Sequence, residues 1–309
     1  MANANADSTS NGTGPVSPSE KFNTKKDNAY TDTDDSINML VFETDEPHPE
    51  TEDRKGSFGD IFHDLFTKAG AEHDPPLSVK TSMHYIVDDP DNDKNGHVPS
   101  LSEIPENVHA ILITGSVYDA HGDDKWISQL LDLLKQLWTK RPDILFSGVC
   151  FGHQILSRLL GASVEPTPGG QWELAHTDMS LSPIGKKLFR TEDEKLSLHQ
   201  MHQDQVSTAP SAETTDLLKK DQKVHIWAST EHTKIQGLYI KDRMFTTQGH
   251  LGFDEKMVHR QIEMRQDAGS VKDDEHAKEA KETAHMKHDG LVVAAAIVRF
   301  FHGDDHDID

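Results

Sequence analysis

Cys150 is the only cysteine among 309 residues. It stands in "FSGVCFGHQIL", residues 146–156, with one glycine two places before it and another two places after. Two readings are open to a thiol in this setting. A free cysteine is often a small buried hydrophobe. Between a strand and a helix, with glycines permitting a sharp turn, it is instead a nucleophile raised above the sheet, in the geometry of the G-x-S-x-G turn. The helix N-terminus would then lower the thiol pKa and favour thiolate near neutral pH. The Phe151 N–H would face a developing oxyanion. A second reactive cluster, "LHQMHQD" at 198–204, offers His199, His202 and Asp204 as metal ligands only if all three face one point. We expect no metal and no cofactor.

The elements around Cys150 read as alternating strands and helices. "INMLVFETD" gives a buried strand through Ile37, Met39, Leu40, Val41 and Phe42, with Glu43 to Asp45 just past its end. "SFGDIFHDLFTKAG" places Phe58, Ile61, Phe62, Leu65 and Phe66 at helical spacing, with Gly70 as the stop. "LSVKTSMHYIV" is a second strand, and "VHAILITGS" a third that ends in Gly115-Ser116. "DKWISQLLDLLKQLWTK" is an amphipathic helix with Trp126, Leu130, Leu134 and Leu137 on one stripe. "DILFSGVC" then runs into the helix "GHQILSRLLG", closed by Gly161. The pattern predicts an α/β fold: a central, mostly parallel sheet with helices on both faces, and sites at the C-terminal ends of the strands. Residues 163–249 read as short strands forming a small antiparallel element, with "IKDR" closing a hairpin.

Composition bounds the rest. Residues 1–36 are polar and read as a disordered tail. The folded domain is expected over 37–303, with a charged exposed helix or mobile insertion near 266–289 and an acidic tail at 304–309. The formal net charge of -22 argues against nucleic-acid partners. No apolar run spans a bilayer and no leader-like block opens the chain, so no membrane partner is expected. A lone cysteine fits a reducing compartment, here the cytosol.

Several segments together resemble a known family. "GVCFGHQ" resembles the G-x-C-x-G-x-Q signature of class I (triad) glutamine amidotransferases. "ILITGS", "MHQDQV" and "TTQGH" resemble its oxyanion loop, its H-x-D-x-V segment and the strand end that bears its catalytic histidine. The likeness covers residues 37 to about 265 and the last helix. It is similar to the free-standing members of GMP-synthase-glutaminase type found in fungi and plants, some of which are γ-glutamyl peptidases. The resemblance implies a flavodoxin-like α/β fold. It implies Cys150 as nucleophile toward the γ-carbonyl of glutamine or a γ-glutamyl compound, and His250 as general base and then acid. Gly115 and Phe151 would supply oxyanion N–H groups. Gln154 would hold the substrate's amino-acid end, with His202 and Asp204 lining or bracing that pocket. The partner would be a small γ-glutamyl molecule, with or without a separate ammonia-accepting enzyme, because no phosphate-cradling loop of a synthetase is present.

One position departs from the family pattern. Its H-P-E carries a glutamate two residues after the histidine, whereas "GHLGFDE" places Gly252 there. Asp254 and Glu255 are the candidate substitutes for the acid that fixes the imidazole. Two alternatives stand beside the amidase reading: a relative that binds a ligand or partner without turnover, and a cysteine hydrolase with another acyl substrate.

Overall fold

The computed structural model describes residues 23–25 and 36–309. The strands are β1 (Asn23–Lys25), β2 (Ile37–Glu43), β3 (Val79–Tyr85), β4 (Asp88–Asp89), β5 (Lys94–Asn95), β6 (Ala110–Ile113), β7 (Leu145–Val149), β8 (Val164–Pro166), β9 (Glu173–Leu181), β10 (Lys195–His202), β11 (Asp204–Val206), β12 (His225–Ser229), β13 (Gly237–Ile240) and β14 (Met244–Thr247). The helices are α1 (Pro49–Lys55), α2 (Phe58–Ala71), α3 (Lys125–Lys140), α4 (Phe151–Leu159), α5 (Pro183–Phe189), α6 (Glu255–Asp267), α7 (Asp274–Thr283) and α8 (Gly290–His302).

One sheet of ten strands runs in the order β1-β3-β2-β6-β7-β14-β13-β12-β9-β10. The steps from β3 through β2, β6 and β7 to β14 are parallel. From β14 to β10 the neighbours are antiparallel. The expected antiparallel element is therefore a continuation of the main sheet, alongside two small ribbons, β4–β5 and β8–β11. The "IKDR" hairpin joins β13 to β14, and Asp242 takes the positive φ of 53° that its turn requires.

Both faces of the sheet are covered, which explains why β2 and β6 read as unbroken apolar runs. On one face α2, α5 and α8 pack through Phe62, Phe66, Leu188, Ile297 and Phe301. On the other, α3 and α4 pack through Trp126, Leu130, Leu134 and Ile155. A capping box at Ser57 and Asp60 starts α2. Gly70 does not stop that helix; it lies inside it, where a Cβ would come within 2.6 Å of the Leu77 carbonyl oxygen.

Three expectations at the edges are corrected. The charged stretch 266–289 is neither free nor fully exposed. It ends α6 and then forms the helix α7, whose Ala277 and Ala280, with Val271 before it and Ala284 after it, are buried in a third apolar cluster beside β9. The small residues among its charges are thus a helical packing stripe. The residues after 303 are also docked: Asp305 is 2% exposed, and Tyr239 Oη donates to the carbonyls of Asp305 and Ile308. Within the expected N-terminal tail, Asn23–Lys25 pairs antiparallel with β3. The rest of that tail lies outside the described residues.

Candidate active site

The turn that carries Cys150 is built by close backbone packing. A Cβ on Gly148 would meet the Gly152 carbonyl carbon at 2.3 Å, and one on Gly152 would meet the Ile113 carbonyl oxygen at 2.2 Å. Only glycine fits either place, so β7 and α4 cross tightly over the end of β6. Cys150 is the N-cap of α4, and its backbone sits at φ 54°, ψ −106°. A non-glycine residue in that region is strained by roughly 1–3 kcal/mol. The Cys150 N–H donates to Thr247 O at 2.9 Å, and Gly152 N–H to Thr114 O at 3.1 Å, which hold the turn against β14 and β6.

His250 follows β14 and reaches the same point. A Cβ on Gly115 would stand 3.0 Å from His250 Cε1 and 3.5 Å from Cys150 Cβ, so Cys150 and the imidazole edge both flank one glycine. Thr44 Oγ1 holds the loop of Gly115 by a 3.0 Å contact with its carbonyl oxygen. The His250 N–H donates to His199 O at 2.8 Å. Its ring stacks on Phe253, with centroids 3.9 Å apart and planes 14° from parallel. His250 Nε2 is buried without a hydrogen-bond partner among the described residues.

Neither candidate substitute acid reaches this imidazole. Asp254 caps α6 by accepting from Met257 N–H at 3.0 Å, and Arg54 Nη2 and Lys55 Nζ each hold it at 3.1 Å. Its site is partly desolvated, yet those donors keep the carboxyl well below the usual carboxylate range. Glu255 is exposed in the first turn of α6. Gly252 faces α2, and a Cβ there would meet Ile61 Cγ2 at 2.7 Å. The place of the family's glutamate is thus closed by an isoleucine.

Burial dominates the electrostatics. It pushes the Cys150 thiol up to about 12, against the Phe151 N–H, the Arg265 guanidinium and the Gln248 amide, which favour thiolate. It lowers His250 to about 3, helped by neighbouring His202, Arg265 and His199. Desolvation therefore works against the expected resting thiolate, and it favours a neutral thiol beside a neutral imidazole.

Cys150 separates two spaces. On one side is a narrow cavity of about 30 Å³ lined by Phe58, Ile61, Phe62, Phe253 and Met257. On the other is an open cleft of about 370 Å³ lined by Tyr118, Gln154, Trp172, His202, Gln203 and Asp204. Gln154 is fixed there, with Nε2 donating to Asp204 O at 2.9 Å and Gln248 Oε1 at 3.1 Å. His202 is a brace: Nε2 lies 2.9 Å from Glu173 Oε2 and Nδ1 2.9 Å from Asp204 O. The Asp204 carboxyl, raised by burial, lies 3.2 Å from His121 Nδ1. His199 is three residues from His202 on β10 and so points to the other face, against His288 at 4.7 Å. The strand separates the three proposed metal ligands.

Two charged residues in this site were not identified from sequence. Asp45 lines the narrow cavity, where burial raises its carboxyl to about 6 against the amides of Glu46 and Val117 and the pull of Arg265. Arg265, on α6, lines both spaces beside Cys150. Its guanidinium lies over Trp172 at 5.8 Å and has no ion-pair or hydrogen-bond partner among the described residues. Asp45 was legible in principle, since it follows the end of a central parallel strand. Nothing local marks Arg265 out from the other charges of α6.

Comparison with known proteins bears on family and fold. The profile of the family described as glutamine amidotransferase class-I matches residues 84–262. A glutamine amidotransferase-like protein of Schizosaccharomyces pombe is 27% identical, over 85% of this chain and 97% of that one. Gamma-glutamyl peptidase 3 of Arabidopsis thaliana is 24% identical, over 66% of this chain and 72% of that one. The crystal structure of a glutamine amidotransferase from Thermotoga maritima superposes with a TM-score of 0.58 at 20% identity, covering 86% of this chain and 98% of that one.

Proposed function

The chain belongs to the class I glutamine amidotransferase family, and from that premise we propose that it is a cysteine-dependent hydrolase of γ-glutamyl amides. The observation that carries this reading is the strained backbone at Cys150, a residue that flanks Gly115 together with the imidazole edge of His250. In the proposed cycle His250 takes the Cys150 proton as the sulfur attacks the γ-carbonyl carbon. The oxyanion accepts from the N–H groups of Gly115 and Phe151. His250 then hands its proton to the leaving amine, giving a γ-glutamyl thioester. Water, deprotonated by the same imidazole, releases glutamate or its γ-acyl equivalent and restores the thiol. The amine is ammonia if the substrate is glutamine, for solvent or a separate acceptor, and an amino acid or peptide if it is a γ-glutamyl peptide.

The amino-acid head of such a substrate carries an ammonium and a carboxylate. Asp45 and Arg265 supply the opposite pair of charges in the space next to the thiol, and Arg265 has no protein carboxylate on it to displace. We assign the α-carboxylate to Arg265 and the α-ammonium to Asp45. Gln154 and Asp204 border the open cleft, where the leaving half has room.

Intact-mass analysis during turnover of γ-glutamyl-p-nitroanilide tests the reading. An adduct of one γ-glutamyl group is expected on wild type, mapping to Cys150 and missing from Cys150→Ser. Absence of both adduct and p-nitroaniline release would overturn it. One observation favours the alternative of a silent ligand-binding relative: among the described residues no carboxylate reaches His250. That alternative requires γ-glutamyl ligands to bind without acylation.

A further inference from the structure

The C-terminal ends of α2 and α8 bring His73 together with His302 and Asp304, which lie more than two hundred residues later in the chain. His73 lies just past the end of α2, His302 closes α8, and Asp304 follows the Gly303 cap of α8. The imidazole nitrogens and carboxylate oxygen that face each other all lie within 4.8 Å. His73 Nε2 is 2.7 Å from Asp304 Oδ2, and His302 Nδ1 is 2.7 Å from Asp304 Oδ1.

The second nitrogen of His73 shows what this cluster is suited to hold. His73 Nδ1 lies 2.6 Å from the Pro75 carbonyl oxygen, which can only accept, so Nδ1 must donate. In a neutral ring Nε2 then presents a lone pair toward a carboxylate oxygen. Two lone pairs at that distance repel unless a cation, a proton or a metal ion, stands between them. A histidine that donates one N–H to a backbone carbonyl and turns its other nitrogen to a cluster has the usual arrangement of a metal ligand. The last carbonyls of two helices also give this corner a negative potential, which favours a cation.

We propose that His73, His302 and Asp304 form a binding site for a divalent transition-metal ion of zinc type. At zinc–ligand lengths of roughly 2.0–2.1 Å, tetrahedral ligand atoms stand about 3.3 Å apart. Both 2.7 Å contacts must open by roughly half an ångström to reach that spacing, through rotation of the exposed His302 and of the Asp304 carboxylate. Water completes the coordination on the solvent side. The role of the ion is structural. The Phe58 end of α2 lines the candidate active site, and the ion binds at the other end of this 14-residue helix, about 20 Å away. It joins α2 to the segment after α8, in which Asp305 and Ile308 are already docked.

The test uses the full chain, stripped with chelator, with Cys150 replaced by Ser in every sample so that the thiol takes no metal. Zinc chloride is titrated by calorimetry, and melting is followed with and without zinc. His302→Ala removes a solvent-facing ligand, and Asp304→Asn is the second variant. The parent is expected to bind one more zinc ion per chain than either variant. At zinc about 100-fold above Kd its melting temperature is expected to rise by about 5 °C, with no such rise in the variants. Cobalt(II) should give the visible absorption of a low-coordinate N/O site in the parent alone. Equal zinc stoichiometry and equal melting shifts in parent and variants would overturn the proposal and leave a plain histidine–aspartate ion pair.

Discussion

The imidazole of His250 lies flat against the ring of Phe253, 3.9 Å between centroids and 14° from parallel. In a triad enzyme a carboxylate fixes the histidine. Here an aromatic face limits its rotation, and no carboxylate shares that task among the described residues. Phe253→Leu keeps the apolar volume and removes the stacking plane. It is expected to lower kcat by about tenfold while changing KM less than threefold, with Phe253→Tyr close to wild type. Equal losses in Leu and Tyr variants would show that the ring does not position the histidine.

Cys150 is expected to react slowly with iodoacetamide at pH 7. Because burial pushes its thiol up to about 12, the rate should still be climbing at pH 9.5. An ordinary thiol would be levelling off there, near a midpoint of about 8.5. A plateau below pH 8 would mean that the helix N-terminus prevails over desolvation.

The assignment of Asp45 and Arg265 to the amino-acid head predicts a pH-dependent KM. Asp45, raised to about 6, must be ionised to receive an ammonium, so KM should increase as pH falls through about 6. Asp45→Asn should have a high KM that no longer depends on pH in that range. Arg265→Met should slow alkylation by iodoacetate at least tenfold relative to iodoacetamide, since only the former carries a carboxylate. That ratio is measurable without turnover. A ratio unchanged by the substitution would remove Arg265 from the anion site.

Restoring the family's glutamate by Gly252→Glu alone is expected to fail. Ile61 Cγ2 stands 2.7 Å from the new Cβ, and overpacking of that kind costs roughly 1–3 kcal/mol. The double variant Ile61→Ala/Gly252→Glu opens the space. It should turn over faster than Ile61→Ala, with a coupling that a double-mutant cycle reads directly. Absence of coupling would show that the carboxylate does not reach His250.

Acid stability follows from the buried histidines. His153 and His250 are lowered to about 3 and His199 to about 4, each mainly by burial. Below roughly pH 6.5 the unfolded chain binds protons that the folded chain refuses. Stability is therefore complete above pH 6.5 and falls on acidification until the folded values are reached. Each fully buried ring adds up to about 1.4 kcal/mol per pH unit to that slope. His250→Asn should flatten the slope between pH 6 and 4 by one such increment. An unchanged slope would mean that His250 is protonated in the folded protein.

Where periodicity and end signals agreed, the sequence was legible. The parallel half of the sheet, the turn at Cys150 and the histidine after β14 follow from apolar runs that end in glycine. The docked α7 was misread because its buried stripe is alanine, whose burial changes composition too little to stand out among ten charged neighbours or so. The segment after 303 was misread because its anchors are single side chains, Asp305 and Ile308, set in acidic surroundings. Arg265 and the His73–His302–Asp304 cluster depend on helix packing over long separations, which no local pattern records.

The left-handed backbone at Cys150 has a bearing on descent. At φ 54° a glycine would lie at ease, while a cysteine keeps the chain under tension. A lineage released from chemistry would lose nothing there by drifting to glycine, and would gain stability. Cys150→Gly is accordingly expected to release that tension and to melt above wild type, with the thiol lost.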